Sequence, residues 1–193
     1  MEALLLLPLF HSVLRYPEGD NINIPYNKLN EFTIGEISVA ATGQKKTGLF
    51  YTKPQHGNCI MMSNIDCEYE EHEALWKKAK GDVLITGLGL GFSHCNLVNN
   101  PNITSVTIIE KYQDVIDLVW DHCSKDDRFS LIHADANTWE IEGHWDCIWI
   151  DHWVRNISED TEKDFIKSMT MKYSPHCDWL GFWLDYRREI EHG

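Results

Sequence analysis

Val83-Leu84-Ile85-Thr86-Gly87-Leu88-Gly89-Leu90-Gly91-Phe92 is the stretch on which the fold turns. A short apolar run enters a set of alternating glycines and leaves into a segment of helical pattern, which reads as a strand–turn–helix junction. Glycine permits the positive φ of a tight turn and lets a ligand approach the backbone. The helix expected from Phe92 to Val98, ended by Pro101, would offer unpaired N–H groups at its start. The dinucleotide fingerprint G-x-G-x-x-G needs a glycine at position 92, where Phe92 stands, so the turn departs from the pyrophosphate pattern.

Outward from this junction, strands and helices alternate. Strands are expected at Ser105–Glu110, Phe129–His133, Cys147–Asp151 and Trp179–Leu184, with Gly181 weakening the last. One helical face carries Val115, Ile116, Val119 and Cys123. Another helix is expected to begin near Ser158, an N-cap residue followed by Glu159, Asp160 and Glu162, and to bury Phe165, Ile166 and Met169. A helix over Glu68 to Lys80 precedes the junction, with acids early, lysines late and Gly81 at its C-cap. Its acidic start, Glu68-Tyr69-Glu70-Glu71-His72-Glu73, reads as a solvated first turn. The fold class is therefore α/β: a Rossmann-like, mostly parallel sheet with helices on both faces. Residues 1–66 differ in character, with short alternating strands at Phe32–Ala40, Gly48–Thr52 and Asn58–Met62. They form a small antiparallel β unit, and residues 67–193 form the nucleotide-binding α/β domain.

Ligands of such sheets bind beyond the carboxyl ends of the strands, and acids stand there in this chain. Glu110 ends the second strand, where a carboxylate can accept hydrogen bonds from both hydroxyls of a ribose. Asp135-Ala136 follow the third strand, where an acid can accept from an adenine amino group. Asp151-His152-Trp153 follow the fourth. Asp151 can orient a nucleophile or take its proton, His152 can act as a base near neutral pH, and Trp153 offers a stacking surface. Trp139, Trp145 and Trp149 are expected to flank the same cleft.

Composition narrows the partners. The formal net charge of −13 over 193 residues repels phosphate backbones. The basic pairs Lys45-Lys46 and Arg187-Arg188 are too small for a nucleic-acid footprint, so a small-molecule substrate is expected. Six cysteines without a C-x-x-C pair read as thiols in a reducing compartment, the cytoplasm. Ten histidines show no metal-binding spacing, so no metal is expected. The apolar run Ala3 to Phe10 is too short to span a membrane, and Glu2 opens it where a signal peptide would carry positive charge. It fits a buried edge or a subunit contact. With the sheet edge left after the fifth strand, it makes homo-oligomerisation an expectation.

The ordered set Val83–Gly91, Glu110, Asp135-Ala136 and Asp151 resembles the motifs of class I S-adenosylmethionine-dependent methyltransferases, over about residues 68 to 185. The resemblance implies S-adenosyl-L-methionine as cofactor: Gly87, Gly89 and Gly91 would hold its methionine portion, Glu110 the ribose, and Asp135-Ala136 the adenine. Asp151, with His152, would position or deprotonate a small acceptor. The small β unit and the segment Met61–Ala74, with His72-Glu73, resemble the spermidine synthase-like branch, which transfers aminopropyl groups; Val154 stands where that branch has its second aspartate. Ile150-Asp151-His152-Trp153 is also similar to catechol O-methyltransferases, where the acid binds magnesium and the histidine and tryptophan border the cofactor. A non-catalytic nucleoside-binding protein is a further reading. The Asn/Asp-Pro-Pro-Tyr/Phe motif of enzymes that methylate nucleic-acid amino groups is absent after the fourth strand.

Overall fold

In the computed structural model, which describes residues 27–29, 31–38, 45–51, 59–63, 66–152 and 159–183, the junction folds as strand, turn and a single helical turn. In chain order the elements are β1 Asn27–Leu29, β2 Phe32–Ser38, β3 Lys45–Tyr51, β4 Cys59–Ser63, α1 Asp66–Lys78, β5 Gly81–Thr86, α2 His94–Leu97, β6 Ile103–Glu110, α3 Gln113–Val119, β7 Phe129–His133, β8 Trp145–Ile150, α4 Glu159–Tyr173 and β9 Cys177–Phe182.

Strands β5 to β9 form a parallel sheet in the order β7-β6-β5-β8-β9. Sequence order reverses beside β5, so the crevice between the ends of β5 and β8 is the switch point. Alternation along each strand feeds two cores. Val83, Ile85, Val106, Ile108, Cys147 and Trp149 pack with Leu75 of α1 and Val115 and Leu118 of α3. Leu84, Ile109, Ile148 and Ile150 pack with Met169 and Tyr173 of α4. Both faces are covered, which is why these strands read as continuous apolar runs. Gly181 in β9 has a packing reason. A Cβ there would lie 2.2 Å from the Trp179 ring, and Trp179 stacks on Trp149 at 6.1 Å with 10° between planes.

Strands β1 to β4 form an antiparallel meander, with a register shift at Leu49/Phe50 of β3. Phe32, Ile34, Leu49 and Met62 enter the first core. The small sheet therefore lies on the side of α1 and α3. Phe32 meets Tyr112 at 4.9 Å between ring centres, and the Glu31 N–H donates to the Asp114 carboxylate at 3.2 Å.

Three local expectations change. β1 was not legible in the sequence. The helix expected from Phe92 to Val98 is one turn, His94–Leu97. The acid-rich start of α1 is solvated on one face only: Glu70 is exposed, whereas Glu68, Glu71 and His72 are buried, because the His72 face of α1 turns onto Phe92 and Trp149. Trp153, the Ser158 cap, the apolar N-terminal run and Arg187-Arg188 lie outside the described residues. Among the described residues no helix is long and apolar enough to cross a membrane.

Candidate functional site

Backbone pairing runs one residue past the strands and levels their ends. The Gly87 N–H donates to Ile109 O, Ala134 N–H to Glu110 O, Asp151 N–H to Thr86 O, and Trp183 N–H to Ile150 O. One cleft opens above this level. Gly87, Gly89, Glu110, Asp135, Ala136, Asp151 and His152 all line it, and the small sheet closes it with Phe32, Leu49, Met61 and Met62. Sequence reasoning thus named seven residues that share one cavity. Gly91 is turned away from it, and a Cβ there would strike the Cys123 Cβ at 2.6 Å.

The glycine turn is a close-packed element. Gly87 has φ +97°, and a Cβ there would lie 2.2 Å from the Asp151 carbonyl oxygen, a backbone atom that no rotamer change can move. Gly87→Ala should therefore lower stability by about 3 kcal/mol or more in urea denaturation. A change within roughly 0.5 kcal/mol, as for a neutral surface substitution, would contradict the packing of this turn against β8.

The turn's amides are used internally. Leu88 N–H donates to Glu110 Oε2 at 2.9 Å, Leu90 N–H to Met62 Sδ at 3.1 Å, and Gly91 N–H to Leu88 O at 2.8 Å. The expected cradle of unpaired helix N–H groups is replaced by this packed turn, since α2 is a single turn.

Glu110 is buried and accepts from both sides, Leu88 N–H on Oε2 and Tyr112 N–H on Oε1 at 2.8 Å. Burial raises its carboxyl above the usual range, and the backbone donors of Leu88, Tyr112 and Lys111 oppose that rise. Asp135 sits in the opposite regime. The Lys111 ammonium at 2.9 Å, with the backbone and side chain of Asn137, holds its carboxyl down to about 2 against desolvation. The loop behind it is clamped from α4, where Lys172 Nζ and the Tyr173 hydroxyl donate to Ala136 O at 2.8 and 2.6 Å.

Asp151 and His152 diverge. Asp151 Oδ2 meets Nε2 of His72 at 3.0 Å, and Nδ1 of that ring donates to Glu68 O at 2.7 Å. His72 has no solvent exposure and lies among Trp76, Phe92 and Trp149. Burial alone would lower its pKa. The hydrogen bond and charge of Asp151, with the Glu68 carbonyl and carboxylate, outweigh burial and hold the imidazolium above its ordinary 6.5. His152 instead faces the Thr86 hydroxyl at 2.6 Å. That hydroxyl oxygen also accepts the Asp151 N–H at 3.2 Å and donates to Trp149 O at 3.4 Å, and His152 Nε2 lies 3.4 Å from Asn137 Oδ1. Burial first, then Lys172 and Lys111 against Asp135, bring His152 down to about 4. It is neutral at physiological pH.

Sequence reasoning missed His72, Thr86, Lys111 and Asn137. Only the resemblance of the His72-Glu73 segment to the spermidine synthase-like branch marked His72, and the buried face of α1 explains why charge counting did not. The tryptophan expectation is corrected. Trp149 is fully buried, Trp139 and Trp145 pack on the second core, and Trp183 lines the cleft instead. Cys123, Cys147 and Cys177 are free thiols, and burial pushes Cys147 up to about 12.

The histidines give the fold a pH signature. Burial, aided by Lys125, holds His94 down to about 3. His94 and His152 are neutral when folded but protonate near 6.5 when unfolded, so their effect is a loss of stability as pH falls from about 6.5 towards 4 and below. His72 acts in the other direction: its contribution is full below 6.5 and is lost as pH rises through its higher folded value. Thermal unfolding against pH should show both limbs, and His94→Leu should flatten the acid one. An acid limb unchanged in that variant would contradict the buried neutral His94.

No family model and no curated protein matches this chain. Among solved structures it is similar to a spermidine synthase from Thermotoga maritima, at 19% identity over 67% of this chain and 47% of that one, with a TM-score of 0.48. It is similar to DhpI in its SAH complex, at 21% identity over 60% and 57% of the two chains, TM-score 0.44. It is also similar to a dimethyladenosine transferase from Plasmodium falciparum, at 17% identity over 56% and 38%, TM-score 0.40. The likeness is one of fold, and the chain spans about half the length of the structures it matches.

Proposed function

We propose that this protein is an S-adenosylmethionine-dependent methyltransferase acting on a small-molecule acceptor. The observation that carries this reading is the buried Glu110 carboxylate, at the end of β6, reaching the Leu88 amide of the glycine turn inside the cleft shared with Asp135 and Asp151. Its donor set fits the cofactor. Leu88 N–H takes Oε2 and Tyr112 N–H takes Oε1, and the carboxylate's remaining lone pairs can accept from ribose hydroxyls. Asp135 can accept an adenine amino group by exchanging its Lys111 contact, and Ala136 supplies an apolar flank. Gly87 and Gly89 admit the methionine portion. Bound there, the cofactor supplies a sulfonium methyl group that is already electrophilic.

The chain's own task is then to hold donor and nucleophile in line and exclude water. Asp151 is the group placed to accept a hydrogen bond from the acceptor, and His72 fixes its orientation from below. His152, neutral and tied to Thr86, lends a ring edge rather than a positive charge. In this reading residues 1–66 shape the acceptor pocket and residues 67–193 bind the cofactor. The net charge of −13 favours a small acceptor over nucleic acid.

The test is transfer of an isotopically labelled methyl group from the cofactor into a panel of small acceptors. Label in an acceptor that needs Asp151 supports the reading. Cofactor consumption without a methylated product, or turnover only with the decarboxylated cofactor, overturns it.

A further inference from the structure

We propose that His72 sets the charge class of the acceptor: lying beneath Asp151 at 3.0 Å, it cancels that carboxylate's charge, so the cleft takes an uncharged molecule with an apolar body in preference to a cationic amine. The inference rests on the function proposed above for its account of which molecule sits beside Asp151.

His72 touches no ligand. It does not line the cleft and has no exposure, whereas Asp151 lines it. Two elements bring polar groups to the ring: α1 with the Glu68 carbonyl and carboxylate, and β8 with Asp151. The rings of Trp76, Phe92 and Trp149 surround the remainder. A carboxylate beside a buried imidazolium presents a dipole to the cleft rather than a net negative charge. An ammonium group placed there would meet the imidazolium as well as the carboxylate and lose most of the attraction. Asp135, also lining the cleft, has its own cation in Lys111. The lining also includes Phe32, Leu49, Met61, Met62 and Trp183, which stabilise an apolar or aromatic surface by burial.

A matched pair of probes tests this. 2-Phenylethanol and 2-phenylethylamine share a body and differ in one uncharged or cationic head. Each is titrated calorimetrically into the wild type, His72→Gln and Asp151→Asn at physiological ionic strength, with and without S-adenosylhomocysteine. The wild type should bind the alcohol at least tenfold more tightly than the amine. His72→Gln, which uncovers the Asp151 charge, should shrink that ratio at least tenfold, and Asp151→Asn should keep the preference for the alcohol. A measurement on the wild type alone guards against misfolding of His72→Gln. As the pH rises and His72 loses its proton, the ratio should move towards the amine for as long as the alkylamine stays protonated.

Equal or tighter amine binding by the wild type overturns the proposal. So does a ratio indifferent to both pH and His72→Gln, and so does failure of both probes to bind. Absence of heat from S-adenosylhomocysteine refutes the cofactor reading separately, while the alcohol-to-amine ratio still judges His72.

Discussion

Replacing Glu110 with alanine is expected to remove measurable binding of the adenosyl cofactor and to weaken the fold. In the proposed complex the carboxylate accepts two ribose hydroxyls, and bonds to a charged acceptor contribute about 1.5–3 kcal/mol each. Losing both corresponds to an affinity loss of roughly a hundredfold or more. The same carboxylate joins the glycine turn to the loop after β6 through Leu88 and Tyr112. Its removal leaves these amides, and that of Lys111, without their acceptor, and the expected loss of stability is about 2 kcal/mol. The figure stays modest because burial raises the Glu110 pKa, so part of the interaction is offset by desolvation of the charge. Calorimetry and urea denaturation measure the two effects. Unchanged affinity would remove Glu110 from the ribose site, and unchanged stability would remove it from the turn. Glu110→Gln, which keeps one acceptor oxygen, should fall between.

The second large effect is expected at the His72–Asp151 pair. The two groups come from α1 and the end of β8, and His72 has no exposure while Asp151 keeps 8% on the cleft side. Removing one member of a buried pair leaves the other uncompensated, typically at about 3–5 kcal/mol. His72→Ala should fall in that range in urea denaturation. Asp151→Asn keeps the shape and a hydrogen-bond acceptor, and it lets His72 become neutral, so its effect on stability should be roughly 1–2 kcal/mol. Its effect on methyl transfer should be larger in proportion, about a hundredfold in kcat, since it removes the group that orients or deprotonates the acceptor. A double-mutant cycle separates pair from site. Additive stabilities for His72→Ala and Asp151→Asn would show that the two residues act independently and would contradict the pairing.

The sheet was legible because its strands are short apolar runs that end in residues of distinctive chemistry. Val83–Gly91, Ser105–Glu110 and Phe129–His133 each showed their strand ends in the sequence, and the structure levels those ends across the sheet. The cleft followed from topology, since a parallel sheet with a switch point beside β5 has one place for a ligand. What the sequence hid was the partner of each acid. Asp151 and His72 are 79 positions apart, and nothing local in an acidic helix start distinguishes a buried imidazole from a solvated one. Lys111 and Thr86 were hidden for a different reason. Each is an ordinary residue of its strand or turn, and its role follows from which side chain stands across the cleft. The tryptophans misled because proximity in sequence to Asp151 says nothing of the face. Trp149 alternates into the core beside Trp179, while Trp183, from the end of the next strand, reaches the cavity.

Within the cleft, adjacent acids are held in opposite regimes. Asp135 is drawn down to about 2 by Lys111 and Asn137, whereas Glu110 is raised by burial. In the proposed complex a ribose meets the second and an adenine edge the first, so both contacts depend on ligand groups that donate hydrogen bonds. NAD also carries an adenosine. Its pyrophosphate, however, would need the donors of the turn, and the Leu88, Leu90 and Gly91 amides are bonded within the protein.

The most direct measurement is therefore calorimetric titration of S-adenosylmethionine, its demethylated product and NAD into the full chain and into Glu110→Ala. The account predicts one site per chain for the two adenosyl-sulfur compounds, lost in the variant, and no heat from NAD. Tight binding of NAD with no response to the sulfur compounds would contradict it.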